Sequence, residues 1–197
     1  MGLDTKILNI MNGLCFILIN VVKFIFIKKI DEIEFDKYTI RGCKRNELKK
    51  VADFLEKMNN NAISSPYRKV VYYLFSNKTI FIVLNKGQVS DTKVLGVNLY
   101  YINYKDFKNS TVHGGYIGVL PENQGVGIAT NLRNAAKKHF FKAKFLGISS
   151  RISINNKASL KTAQKMGYVV EYKYYDSSLN EERYYMICKL GNLSDVK

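Results

Sequence analysis

A strand-like run that turns abruptly into a helix constrains the fold of this chain more than any other segment. Residues 119–129 spell Val-Leu-Pro-Glu-Asn-Gln-Gly-Val-Gly-Ile-Ala, and a helical pattern follows at 130–141. The first N–H groups of a helix have no partner inside it and lie at the positive end of its dipole. Glycines leave those groups open to an anion because they carry no side chain. The segment therefore predicts a phosphate site, although an ordinary strand-to-helix turn gives the same pattern.

Two well-known nucleotide-binding loops do not fit this segment. A P-loop requires Gly-Lys-Ser/Thr after its glycines, and no such triplet follows Gly127. A dinucleotide-binding loop has a third glycine, which this loop lacks. The kind of phosphate compound therefore has to be inferred from a second motif.

That motif begins at Asn156, directly after another apolar run at 145–154. Residues 156–168 spell Asn-Lys-Ala-Ser-Leu-Lys-Thr-Ala-Gln-Lys-Met-Gly-Tyr, about one strand and one helix after the first motif. The pair resembles the GNAT (GCN5-related) N-acetyltransferase superfamily. In that family Gln/Arg-x-x-Gly-x-Gly/Ala holds the acetyl-CoA pyrophosphate, and an Asn-led helix ending in Gly-Phe/Tyr follows the next strand. The resemblance extends more loosely over residues 38–190.

The resemblance implies an α/β domain with the GNAT acyl-CoA N-acyltransferase fold. Its mixed central sheet has helices on both faces and is splayed between two parallel strands, here 112–119 and 145–154. The pantetheine arm of acetyl-CoA lies in that gap. We expect this domain to cover residues 34–191, with an N-terminal segment at 1–33 and a tail at 192–197.

Hydrophobic periodicity predicts most of the other elements. Apolar residues recur at helical spacing over 47–58 and 62–75, whereas 79–84 and 94–104 have the β-branched and aromatic composition of strands. Two further strands are expected to form a hairpin around 176–182. This order of elements is the one that the resemblance implies.

The resemblance also assigns the residues that bind acetyl-CoA. Backbone N–H groups on the strand before the loop contact pantetheine and the oxyanion, the loop holds the pyrophosphate, and the motif helix lines the coenzyme. A bulge at Gly118 would free the N–H of Val119, and Asn156 could equally serve only as a helix N-cap. The assigned residues are Ile117, Val119, Gln124, Gly125, Val126, Gly127, Ile128, Ala129, Asn156 and Ser159.

Proton transfer is assigned to His113. It aligns with the general-base glutamate of the histone-acetylating branch of the family, and imidazole titrates near neutrality. His113 and Val119 point to the same face of the sheet only if the strand between them is regular. Ala163 stands where many relatives have a tyrosine that protonates the CoA thiolate. Water or a tyrosine of the C-terminal hairpin would have to replace it.

We therefore expect an N-acetyltransferase that moves an acetyl group from acetyl-CoA to a primary amine of a small molecule or amino sugar. The alternatives are acetylation of a protein N-terminus, a lysine or an aminoacyl-tRNA, or a CoA-binding module without activity. The formal charge of +15 over 197 residues attracts anions such as CoA. It does not single out nucleic acid, because no basic block interleaved with aromatics occurs. Two histidines and three scattered cysteines predict no metal site.

The segment 7–27 is strongly apolar, and its main polar residues, Asn9, Asn12, Asn20 and Lys23, fall in one sector of a helix. It is long enough to span a bilayer, which would place Lys28 and the catalytic domain on the cytoplasmic side. Three asparagines and a lysine make a span costly unless they face a partner. The sequence thus leaves open a membrane span, an interfacial anchor, and a helix packed on the domain or on a second subunit.

Overall fold

The computed structural model describes residues 3–60, 62–63, 65–86 and 93–191, with side chains from residue 6 onward. Helices and strands alternate along the chain as the GNAT resemblance implies, with additions at the N-terminus and before the fifth strand. The helices are α1 Leu3–Phe24, α2 Leu48–Lys57, α3 Pro66–Thr79, α4 Tyr104–Lys108, α5 Ile128–Lys142 and α6 Lys157–Lys165; the strands are β1 Ile33–Glu34, β2 Tyr38–Gly42, β3 Ile80–Asn85, β4 Val94–Tyr101, β5 Thr111–Val119, β6 Gly147–Ser153, β7 Tyr168–Asp176 and β8 Glu181–Lys189.

The strands form one mixed sheet in the order β1-β2-β3-β4-β5-β6-β8-β7. All described neighbours are antiparallel except β5 and β6, which run parallel. Their pairing covers only Thr111–Gly114 against Gly147–Ser150, and beyond it the two strands separate. The predicted splay between two parallel strands is therefore confirmed.

Helices cover both faces of this sheet. Along β3, Phe81 and Val83 contribute to one apolar cluster, whereas Ile80, Ile82 and Leu84 contribute to the other, as expected from the alternation of side chains along a strand. The first cluster is built around α5 and also contains the end of α1. The second is built around α2. Since α5 packs directly behind β4 and β5, its N-terminus is held at the edge of the splay.

A bulge lies on β5, but not at the predicted position. Leu99 pairs with Tyr116 and Tyr100 pairs with Gly114, which leaves Gly115 as the extra residue. Gly118 pairs regularly with β4, so the expectation of a bulge there was wrong. Both glycines relieve crowding: a Cβ at Gly115 would lie 2.6 Å from the ring of Tyr101, and one at Gly118 would lie 2.2 Å from the hydroxyl of Tyr116.

The N-terminal helix packs into the same core as the sheet. Phe24 is fully buried, and its ring centroid lies 5.9 Å from that of Phe75 and 6.4 Å from that of Phe145. Asn20 is also fully buried. The helix starts before the predicted segment 7–27 and ends at Phe24 instead of continuing through it. Core packing, and not only a flexible tether, thus joins α1 to the remainder.

Smaller differences from the predicted elements have local causes. Helix α3 begins at Pro66, which takes the first helical position where its missing N–H is not needed. Before β5, Asn103 caps the short helix α4 by accepting a hydrogen bond from the N–H of Asp106. The sequence Lys86-Gly87-Gln88 predicts a turn, and it lies largely outside the described residues.

Candidate active site

The loop between β5 and α5 forms a cradle of exposed backbone. Gly125 and Gly127 have φ angles of +79° and +86°, the left-handed region that favours glycine. A Cβ at either position would meet nothing within 4 Å, so the space in front of the loop is open. Gly127 caps α5, and within the loop the first helical hydrogen bond runs from the N–H of Asn131 to the carbonyl of Gly127. The preceding N–H groups at the helix start are thus available to an anion.

Gln124 holds this loop against the strand. Its Nε2 donates a hydrogen bond of 3.0 Å to the carbonyl oxygen of Val119. The glutamine therefore supports the cradle geometry with its side chain. Val126 points outward and is 67% exposed, so only its backbone could serve the predicted pyrophosphate role.

A cleft of about 530 Å³ extends from the cradle into the gap between β5 and β6. Its walls come from β5, the loop, the start of α5 and the start of α6. They also include Arg133, which sequence analysis did not single out. Nine of the ten predicted coenzyme-binding residues line this cleft; they are Ile117, Val119, Gln124, Gly125, Gly127, Ile128, Ala129, Asn156 and Ser159.

The backbone of β5 presents N–H groups to this cleft. The N–H of Leu120 bonds to the carbonyl of Leu95 on β4. Hydrogen-bonded and non-bonded pairs alternate along antiparallel strands, and the β4–β5 register is regular from Ile117 to Val119. The N–H groups of Val119 and Ile117 therefore point away from β4, toward the side where β6 has departed. Such fixed donors could stabilise an oxyanion, and that role for both residues stays a prediction.

Asn156 and Ser159 sit at the start of α6, where they form the wall opposite the cradle. The side-chain oxygen of Asn156 accepts a 3.0 Å hydrogen bond from the N–H of Ser159. This is the N-capping role that the sequence left open. Capping uses the amide oxygen of Asn156, which leaves its Nδ2 and the Ser159 hydroxyl as candidate donors to the coenzyme in the cleft that both residues line.

A second, inner cavity of about 340 Å³ lies on the far side of the gap. Its walls include Asn98 and Tyr100 from β4, Tyr168 from β7, and the charged side chains Arg151, Glu181 and Arg183. The two cavities share part of their walls, so they adjoin each other. The shared residues are Tyr116, Ile117, Arg133, Asn156 and Ser159.

The floor of the inner cavity is a buried polar cluster. Asn98 donates a 2.8 Å hydrogen bond to the hydroxyl of Tyr100, and the guanidinium of Arg133 lies 5.2 Å from the ring centroid of Tyr168. Burial raises the pKa of Tyr168 to about 12, so its phenol is protonated at neutral pH. The Nε of Arg133 is buried without a hydrogen-bond partner among the described residues. A buried donor of this kind gains from a polar ligand.

His113 lies outside both cavities. The bulge at Gly115 reverses the alternation along β5, so the His113 side chain and that of Val119 point to opposite faces of the sheet. The ring packs on Tyr101 with centroids 5.0 Å apart and is 3% exposed. Burial, with Arg151, Arg68 and Arg183 nearby, lowers its pKa to about 3. A base this weak and this enclosed is poorly suited to deprotonate an ammonium; the general-base assignment stays a prediction against which the geometry argues.

A buried network that no sequence pattern indicated holds His113 in place. The hydroxyl of Ser149 lies 2.6 Å from Asp106 Oδ1 and 2.7 Å from His113 Nδ1. Thr111 donates to the same carboxylate oxygen at 2.7 Å. Because Ser149 has one hydroxyl proton and gives it to the carboxylate, His113 must donate from Nδ1. Burial raises the pKa of Asp106. These contacts link β5, β6 and α4, so the side chain of His113 helps to hold these elements together.

Acidification tests the burial of the two histidines. Burial also lowers the pKa of His139, to about 4, whereas an unfolded histidine titrates near about 6.5. Below that pH the unfolded chain binds more protons than the folded one, so stability falls as pH falls. We expect each histidine to contribute up to about 1.4 kcal/mol per pH unit. The free energy of unfolding, measured with urea between about pH 7 and pH 5, should fall less steeply with falling pH in His113→Asn and His139→Gln than in the wild type. An unchanged pH dependence in both variants would contradict the burial of neutral histidines.

The sequence around this site matches a known protein family. The model of the Acetyltransferase (GNAT) family matches residues 48–168, which include the cradle, the gap and the Asn156 motif. The chain belongs to the GNAT acetyltransferase family. Acetyl-CoA is the acyl donor of that family, so this protein is an acetyl-CoA-dependent N-acetyltransferase. No curated protein sequence matches the chain.

Solved GNAT structures show the same fold at low sequence identity. A ribosomal-protein-S5-alanine acetyltransferase from Vibrio fischeri is 21% identical with a TM-score of 0.64, over 85% of this chain and 99% of that one. A mutant form of spermidine N-acetyltransferase SpeG from Vibrio cholerae is 19% identical with a TM-score of 0.59, over 82% and 100%. A chain of the NatC complex bound to Gag peptide and CoA is 14% identical with a TM-score of 0.64, over 78% and 98%.

The residues of this GNAT domain fit the donor. Open space in front of Gly125 and Gly127 and the unpaired Nε of Arg133 are features that a phosphate and a polar pantetheine arm would satisfy. When bound, acetyl-CoA supplies the thioester that the amine attacks. Among the described residues, no group of three His, Cys, Asp or Glu side chains could hold a metal ion. Ala163 is fully buried, and its methyl group cannot supply the proton that the tyrosine of relatives gives to the CoA thiolate.

Proposed function

We propose that this GNAT enzyme acetylates a primary amine of a small acceptor that enters the inner cavity. The observation that carries the proposal is the shared wall between the cleft and that cavity, formed in part by Ile117 and Tyr116. A thioester held along β5 by the N–H groups of Ile117 and Val119 would lie at this junction. The amine could then reach the carbonyl from the inner cavity.

Among the described residues, the inner cavity is lined by one carboxylate, Glu181, and three guanidinium groups, Arg133, Arg151 and Arg183, so its charges favour an acceptor that combines an ammonium with an anionic group. Glu181 is the carboxylate among its described lining residues, and its Oε1 lies 3.5 Å from Nε of Arg183. A carboxylate at the entrance holds an ammonium, whereas Arg183 and the exposed Arg151 can hold an anionic group on the same acceptor. With His113 outside the cavity, the proton leaves the ammonium through water before or during attack.

A peptide amino terminus is the second candidate acceptor. The inner cavity opens at the β7–β8 turn, where Leu179 is 56% exposed, so a chain attached to the amine could extend into solvent. Similar structures include one named for an alanine of ribosomal protein S5 and one bound to a peptide. The cavity volume of about 340 Å³ accommodates a first residue but not a folded segment.

Substitution of Glu181 tests the placement of the acceptor. We expect Glu181→Gln to raise KM for a cationic acceptor about tenfold, because one charge-assisted hydrogen bond is lost, with a smaller change in kcat. Thiol release from acetyl-CoA should be measured with spermidine, glucosamine and a peptide beginning with alanine. Glu182→Gln is the matched control: its carboxylate pairs with Lys173 and does not line the cavity. Equal KM values in both variants would place the acceptor elsewhere.

A further inference from the structure

Helix α1 carries a continuous apolar stripe that the domain does not cover. Six large side chains recur every three or four residues along one side of the helix and its C-terminal turn, and each is about half exposed or more. Leu8 and Ile10 flank the stripe and are also exposed. The six residues, called the apolar stripe below, are Ile7, Met11, Leu14, Leu18, Val22 and Ile25.

The opposite side of the helix is fixed to the catalytic domain. Gly13 lies against the ring of Tyr67 so closely that a Cβ would come within 2.1 Å of it. Asn20 donates to the carbonyl of Ile102 and accepts from its N–H, both at 2.8 Å. With 3.6 residues per turn, Gly13, Asn20 and Phe24 share one side and the apolar stripe lies across from them. The stripe therefore faces away from the domain.

Helix α1 is apolar on both sides. The domain buries Ile19 and Phe24 together with Asn20, whereas the apolar stripe is exposed, unlike a surface helix that has one apolar and one polar face. A contiguous exposed stripe of six large apolar side chains marks a binding site or causes aggregation. One described helix, Lys6–Phe24, is long and apolar enough to cross a membrane, with a mean hydropathy of 1.8.

We propose that α1 lies in the plane of an anionic lipid surface and holds the catalytic domain against it. A span is disfavoured because α3 packs along α1 and carries Arg68 and Lys69, which would have to enter the hydrocarbon or release Asn20 from Ile102. Lying in the interface buries the stripe without breaking either contact.

The positive charge of the chain favours an anionic lipid surface, and not a second copy of the chain, as the partner of the apolar stripe. The formal charge is +15, so two copies repel each other, whereas an anionic leaflet attracts the protein. Phe26, 90% exposed, and the exposed Lys28 and Lys29 directly follow the helix. An aromatic ring beside two lysines suits the boundary between acyl chains and headgroups.

Vesicle binding by the full-length protein tests the proposal. We expect co-sedimentation with vesicles of phosphatidylcholine containing roughly one third phosphatidylserine, and at least tenfold less in the double variant Leu14→Glu/Leu18→Glu. The control Asn9→Glu/Asn12→Glu adds the same charge to exposed positions of the same helix off the stripe and should bind like the wild type. Equal binding by both variants overturns the proposal. The proposal is also overturned if the wild-type protein does not bind vesicles but forms a dimer that the stripe variant cannot form.

The depth of the helix separates lying in the plane from spanning. The chain has no tryptophan, so Ile7→Trp, Leu18→Trp and Ile25→Trp each create a single reporter on the stripe. With brominated lipids, a helix in the plane places all three indoles at one shallow depth. Deeper quenching of the Leu18→Trp protein than of the two end positions would show a span and overturn the proposal.

Discussion

Replacing Gly127 with aspartate is expected to lower acetyl-CoA affinity at least tenfold. The new side chain would fill the open space at the start of α5 and put a negative charge where the pyrophosphate binds. One or two charge-assisted hydrogen bonds, about 1.5–3 kcal/mol each, would be lost. Isothermal titration of acetyl-CoA into the folded variant measures the effect.

Gly167→Asp is the matched control for backbone strain. Gly167 follows α6 with a φ of +81°, close to the +86° of Gly127, but it lies outside the cleft. A Cβ there would only touch the Cys188 sulfur at 4.0 Å. We therefore expect a similar loss of stability and unchanged acetyl-CoA affinity. Equal affinities for the two variants would mean that the cradle does not hold the pyrophosphate.

Replacing Asn20 with alanine is expected to destabilise the fold by about 2–6 kcal/mol. The Asn20 amide satisfies both the N–H and the carbonyl of Ile102, and all of these groups are buried. Removing one side chain leaves two backbone groups unpaired, at about 1–3 kcal/mol each. Urea unfolding of the full-length protein measures the change in the free energy of unfolding.

Asn12→Ala provides the comparison within the same helix. Asn12 is exposed, so its loss should change stability by less than about 0.5 kcal/mol. Deletion of residues 1–30 should lower the free energy of unfolding more than Asn20→Ala does, because it also removes Phe24 from between Phe75 and Phe145. If Asn20→Ala unfolded like the wild type, α1 would not be docked as described.

The cradle was predictable because its cause is local, whereas the splay was expected from the family resemblance. Two glycines at a strand-to-helix turn set the loop geometry, and the motif at Asn156 places the next helix on the other side of the gap. Both φ angles and the separation of β5 from β6 follow the pattern that the sequence predicts. The hairpin of β7 and β8 was likewise marked by alternating residues around a polar turn.

His113 shows where sequence reasoning stopped. Alignment with the cradle placed it correctly on β5, but one extra residue at Gly115 decides which face its side chain takes. That extra residue depends on how β4 and β5 pair and on the ring of Tyr101. Asp106 and Ser149 are 43 residues apart in the chain, so the network that holds His113 could not be inferred from spacing.

The N-terminal helix shows the same limit of sequence patterns, because the orientation of its faces depends on a distant contact. Periodicity grouped Asn20 with Asn9, Asn12 and Lys23, but it could not tell which of them face protein: Asn9 and Asn12 are exposed, whereas Asn20 is buried. The partner of Asn20 is Ile102, 82 residues away. A fully buried asparagine paired with the end of β4 turns the apolar side outward, and only the tertiary structure shows this.

The position of bound coenzyme tests the account most directly. A crystal structure with CoA should show pyrophosphate oxygens about 2.7–3.2 Å from N–H groups of residues 125–129. Its sulfur should lie between β5 and β6, beside the N–H groups of Ile117 and Val119 and facing the inner cavity. Coenzyme bound outside the cleft, or a sulfur directed away from the gap, would contradict the assignment of both the donor and the acceptor sites.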